Sequence, residues 1–258
     1  MISIIPSITI GFMSTEKGKD MKRKLLISAL VGATLMLAAC GAPATTEQGA
    51  EPKTQAEPTA QTQEKPATNA SAEASVPTKE HPLVVDKANK TVKIYALVNE
   101  KFKDESTMHM VASSHGSQGK NAMFISEADA LDFHDALESL GLKAGNNVTG
   151  DTAGKVQVEG DALDVQFQFD GNDKSYTVSE VVDDSSKQDI DIRFGGNYDT
   201  QKELKTGCIS CMMSCPAGIS SNHTHMLGAD EKDGISFTLN KDTVPADKTP
   251  VIISFIAK

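Results

Sequence analysis

Positive charge is scarce in this chain. It has 25 Lys and Arg against 35 Asp and Glu, a net −10. Five of the basic residues and only two of the acidic ones precede residue 40, which leaves 20 basic against 33 acidic beyond it, a net −13. Such a surface repels nucleic acid and offers no polybasic grip on a membrane. Arginine occurs once after residue 39, at Arg193. No run beyond residue 40 is long and apolar enough to cross a bilayer. The chain lacks a Gly-x-Ser-x-Gly elbow and the Walker and dinucleotide glycine patterns, which removes the sequence grounds for those enzyme classes. It also lacks Cys-x-x-Cys-His, which argues against covalent c-type haem. Cysteine appears only four times, once at Cys40 and three times between residues 208 and 215.

The start of the chain reads as an export signal. Lys22, Arg23 and Lys24 precede an apolar run over 25–37 that is too short for an ordinary transmembrane helix, and Leu37-Ala-Ala-Cys40 is followed by Gly41. This layout resembles the lipobox of bacterial lipoproteins. That resemblance implies a signal over 21–39, diacylation of Cys40 and a lipid tether to a membrane in the cell envelope, outside the cytoplasm. Residues 1–20 do not belong to such a signal and read as an upstream extension before Met21.

Residues 41–80 contain no Leu, Ile, Met, Phe, Tyr or Trp, and prolines punctuate their Ala/Thr/Gln/Glu background. They cannot bury enough surface to offset ordering entropy, so 40–80 reads as a lipidated cysteine followed by a disordered tether. Residues 81–258 are enough for one domain with its own core.

In that domain, apolar residues alternate over 91–98, 163–169 and 190–194, which predicts strands. Further strands are expected over 108–112, 235–239 and 251–256, the last of them central. Asp170-Gly-Asn-Asp173 between 163–169 and 176–182 predicts a hairpin. One amphipathic helix is expected after a capping pair, Ser126 and Asp129, with Gly141 as its stop. The expected fold is a strand-dominated α+β domain: sandwich-like, with one clear helix and a cysteine-bearing loop or short helix.

Gly207-Cys208-Ile-Ser-Cys211-Met-Met-Ser-Cys215-Pro216 places three thiols within eight residues. A helix from about Thr206 would put them on one face and set Cys208 near its N-terminus, where the dipole favours thiolate. Four readings are open. Cys-x2-Cys-x3-Cys-Pro matches part of an iron–sulfur run, although the signal is of a type that carries chains across unfolded. Three thiolates suit a single transition metal such as Zn²⁺, or Cu(I) with Met212 and Met213 nearby, and His223 and His225 are close enough in sequence to contribute. Cys208 and Cys211 could form a redox pair, or one bridge could pin a loop and leave an inert thiol.

Arg193, in Asp191-Ile-Arg-Phe-Gly-Gly-Asn197, reads as a structural carboxylate pair, with an anion contact as the alternative. His81 reads as a surface residue and His134 as a satisfied, half-buried one. His109 and His115 bracket a strand end beside Ser113, Ser114, Gly116, Ser117 and Gly119, a stretch that reads as a polar loop, with an anion cradle as the alternative.

The chain resembles the YdjY-domain lipoproteins of bacteria. The residues that carry this are His81-Pro-Leu-Val-Val-Asp86, Asn89-Lys-Thr-Val-Lys-Ile94, 133–147 with its Gly145-Asn-Asn147 end, Asp191 to Asn197, Thr206-Gly-Cys208 through Cys215-Pro-Ala-Gly-Ile219, and Ser221-Asn222. The family is loosely labelled ferredoxin-like or 4Fe-4S, which implies a redox or metal-linked role. His223 and His225 fall outside its pattern. The expected function is a non-enzymatic, lipid-anchored redox or metal-binding module with Cys208, Cys211 and Cys215 at its centre and an envelope redox partner. The alternative is a structural or interaction lipoprotein held by a disulfide.

Overall fold

The computed structural model describes residues 76–258. The upstream extension, the signal, Cys40 and the tether up to residue 75 lie outside the described residues. At the start of the described part Pro77 is buried, and the Thr78 and His81 backbones close a small turn.

Twelve strands follow one another among the described residues: β1 (Leu83–Asp86), β2 (Thr91–Val98), β3 (His109–Ser113), β4 (Ala122–Ser126), β5 (Ala162–Phe169), β6 (Ser175–Thr177), β7 (Val182–Asp184), β8 (Ile192–Phe194), β9 (Cys208–Cys211), β10 (Ser220–Asn222), β11 (Phe237–Leu239) and β12 (Pro250–Ala257). Among the described residues four short α-helices intervene: α1 (Ala130–Ser139), α2 (Val178–Val181), α3 (Tyr198–Leu204) and α4 (Ala229–Asp233).

The sandwich expectation is overturned. Eight strands form a closed barrel in the order β2-β12-β5-β8-β10-β9-β3-β4, and β4 returns to β2. Closure depends on the length of β2. Its first half pairs with β1, and Ala96–Val98 at its far end pair with β4 on the same edge. Closing the ring satisfies the backbone groups that open edges would expose. All the ring pairings are antiparallel except β3 with β4 and β9 with β10. β12 lies between β2 and β5, as its apolar run predicts. Inward positions alternate strictly: Val92, Ile94, Ala96 and Val98 on β2 meet Val251, Ile253 and Phe255 on β12, all nearly solvent-free.

The helix count also differs from expectation. α1 is the predicted helix, but Asp129 alone caps it, its Oδ1 accepting from Leu131 N and Asp132 N. Ser126 belongs to β4 and donates to Tyr95 O instead. Phe133 of α1 packs edge-on against Phe255 at 4.7 Å, tying the helix to the barrel core. The predicted hairpin forms between β5 and β6, but its second arm stops at Thr177. There a Thr177–Glu180 capping box starts α2. α2, α3 and α4 span only 4, 7 and 5 residues, too few for an amphipathic period to be read. β7 and β11 pair as a separate two-stranded sheet.

Candidate metal centre

The cysteine segment is not helical. β9 is hydrogen-bonded on both sides, to β3 and to β10, and all four of its residues are buried. Two-sided pairing in the interior satisfies the backbone that a lone helical turn would have satisfied locally, and Ile209 adds β-branched packing. In a regular strand, residues three apart point to opposite faces. Here the register between β9 and β3 shifts twice, around Val111, and this irregularity lets Cys208 and Cys211 serve one site. His109, at the start of β3, lies directly opposite Cys211. The ligand atoms of His109, Cys208 and Cys211 lie within 4.8 Å of one another.

His109 Nδ1 is 3.3 Å from Cys208 Sγ and 4.0 Å from Cys211 Sγ. Cys215, on the loop after β9, joins the same buried cluster with Ala217, and Met108 packs against it. Cys211 is the central thiol and donates toward both Cys208 and Cys215. All three cysteines are free thiols, so no pair is bridged.

The electrostatics follow from that arrangement. The Cys211 hydrogen bond, opposed by burial and reinforced by His109, brings Cys208 down to about 5. Cys211 is pushed well above the ordinary thiol range, because it donates to both neighbours and is fully buried. Cys215 is lowered by Cys211 and by the backbone N–H groups of Ala217 and Gly218. Burial pulls His109 down, but the Cys208 hydrogen bond and charge outweigh it, and the net shift is upward.

Two buried amides frame the thiols. Asn197 Nδ2 donates to Cys215 O and Gly218 O, both at 2.9 Å. Gln201 of α3 donates to Cys208 O and Ala217 O, while its Oε1 accepts from Thr206 Oγ1 and Gly207 N. Gly218 is needed for a close approach: a Cβ there would sit 2.8 Å from Ser221 Oγ and 3.1 Å from Cys211 Sγ.

The structure thus brings Cys208, Cys211 and Cys215 together and leaves the other candidate ligands apart. His223 Nδ1 meets Val158 O at 2.6 Å. His225 is buried against Asp184 at 2.6 Å. Arg193 forks onto Asp191 Oδ2 through Nε at 2.8 Å and a terminal nitrogen at 2.7 Å. His134 is buried, edge-on to Phe194 and Tyr198. His109 is the candidate ligand that sequence reasoning missed. Its one signal is an imidazole inside the apolar run Met108-His-Met-Val-Ala112, about a hundred residues from the thiols. Nothing in the sequence marks Gln201.

Compared with known proteins, residues 83–256 match the YdjY domain. The uncharacterized protein YdjY of Escherichia coli strain K12 is 38% identical over 175 residues, which cover 67% of this chain and 78% of that protein. No solved structure matches.

Proposed function

The chain belongs to the YdjY domain family, and we propose that its domain is a metal-binding module in which Cys208, Cys211 and His109 hold one soft transition-metal ion, with Cys215 of the same buried cluster drawn in as the fourth ligand. The observation that carries this is the convergence of the His109, Cys208 and Cys211 ligand atoms within 4.8 Å. Tetrahedral bonds of Zn–S length place neighbouring sulfurs about 3.8 Å apart, so this spacing suits a single ion. A four-iron cluster would put irons and sulfides between its ligands and spread them wider. Three thiolates and an imidazole select Zn²⁺ or Cu(I) over harder cations. Four protein ligands in a buried setting leave no open position for substrate, which favours a binding or electron-transfer role over catalysis. The lipobox ending at Cys40 supports attachment by lipid to a membrane of the cell envelope, outside the cytoplasm, where an envelope redox partner would meet the domain.

The test is metal analysis of protein purified anaerobically from its native envelope, followed by affinity measurement on variants. One ion per chain is expected. Cys208→Ser, Cys211→Ser and His109→Asn should each lower affinity by at least about tenfold, through loss of a ligand. His223→Asn should leave it unchanged. A metal-free protein whose Cys208 and Cys211 oxidise reversibly would replace this reading with a thiol–disulfide one.

A further inference from the structure

α1 carries a second set of donor atoms. His134 Nδ1 lies 3.2 Å from Asp135 Oδ1 and 4.0 Å from Glu138 Oε2, and ligand atoms of the three residues all fall within 4.8 Å of one another. His134 is not a surface histidine. Its side chain is 7% exposed, and its ring stands edge-on to Phe194 of β8 and Tyr198 of α3, at 5.1 and 4.9 Å. A ring fixed in this way keeps Nδ1 turned toward the two carboxylates, whose side chains are 62% and 57% exposed. All three residues line a cavity of about 490 Å³. Asp199 adds a third carboxylate to the lining, and no lysine or arginine belongs to it. Among the described residues neither Asp135 nor Glu138 pairs with a lysine or arginine. The buried imidazole and the two solvent-facing carboxylates therefore have only one another as partners, at the edge of an acidic cavity.

The donor set narrows the ligand. One imidazole nitrogen and two carboxylate oxygens suit a borderline divalent ion of the first transition row, such as Mn²⁺ or Zn²⁺, whereas Cu(I) prefers sulfur and Mg²⁺ oxygen alone. Metal–nitrogen and metal–oxygen bonds of about 2.0–2.2 Å hold neighbouring donors about 3–3.4 Å apart. His134 and Asp135 already stand at that spacing. Glu138 reaches it by a shift of under about 1 Å, in a side chain free to move in solvent. Two carboxylates also balance the charge of a divalent ion bound by a neutral imidazole. We infer that His134, Asp135 and Glu138 bind one divalent cation of this class, with its remaining positions open to the cavity. The site shares no ligand with the thiol centre and does not depend on it. Its solvent-facing ligands let the ion exchange, so it leaves during purification while an ion held by the buried thiols stays.

Electron paramagnetic resonance of Mn²⁺ added to the purified full chain tests this. Bound Mn²⁺ loses the signal of the free ion, and soft thiolates do not select Mn²⁺, so the thiol centre does not enter the readout. Saturable binding of one Mn²⁺ per chain is expected, reversed by Zn²⁺ at concentrations at least about tenfold below those of Mg²⁺ that do the same. The double variant Asp135→Asn, Glu138→Gln changes two exposed side chains and should keep the fold while weakening Mn²⁺ binding by about tenfold or more. Added Mn²⁺ should raise the thermal midpoint of the wild type and leave that of the double variant where it was. No saturable Mn²⁺ binding, or undiminished affinity in the double variant, would overturn the inference. So would displacement by Mg²⁺ as readily as by Zn²⁺, since the imidazole would then have no part in the site.

Discussion

Asn197 combines two demands that few side chains meet together. Its backbone is left-handed, with φ 55°, and its amide bridges the carbonyls of Cys215 and Gly218. Asn visits that region more readily than Ala does, and its NH₂ supplies both donors. Asn197→Ala should therefore cost about 2–4 kcal/mol in urea unfolding, from two buried carbonyls left unpaired plus backbone strain. Metal affinity should fall with it, because the loop carrying Cys215 loses its tie. Arg193 is the contrasting case. It and Asp191 are each about a third exposed, and such pairs contribute little. Arg193→Lys should change stability by less than about 1 kcal/mol; a larger loss, or a loss of ligand affinity, would show that the fork has another task.

At the scale of elements, most strands were legible because their apolar residues alternate. β2, β5 and β12 show period two in the sequence and in their burial. β9 was not legible. Its Cys-Ile-Ser-Cys has neither alternation nor length, and it becomes a strand because β3 and β10 flank it. Three of the helices are likewise too short to announce themselves. Their local signals, such as the Thr177–Glu180 box, compete with an apolar run that reads as strand. Glycines hold the junctions between elements. Gly160 has φ 111°, and a Cβ there would lie 2.0 Å from Phe194 O. Gly160→Ala should displace β8 from β5 and destabilise the domain by more than about 2–3 kcal/mol, read as a fall in thermal midpoint or as insoluble expression. A soluble variant of unchanged midpoint would show that the β5–β8 junction can relax.

At the largest scale, the domain described over residues 76–258 is built on a barrel whose ring is closed by β4 returning to β2. β2, β5 and β12 form its longest continuous ladders. Their amides should exchange slowest in native-state hydrogen exchange, and those of the separate β7–β11 sheet should open earlier. Limited proteolysis should leave a stable fragment beginning between about residues 76 and 81, since the composition of 41–75 offers no core to protect it. Among the described residues no helix is long and apolar enough to cross a membrane.

The sequence by itself determined which strands alternate, where α1 starts and stops, and that three thiols share one short segment. Each of these is a local pattern, written in neighbouring residues. Closure of the barrel, the strand character of β9 and the placing of His109 opposite Cys211 were decided only by tertiary structure. All three depend on pairings between segments far apart in the chain. Such pairings are selected by whole-barrel packing and by the need to satisfy every buried backbone group, which no local window contains.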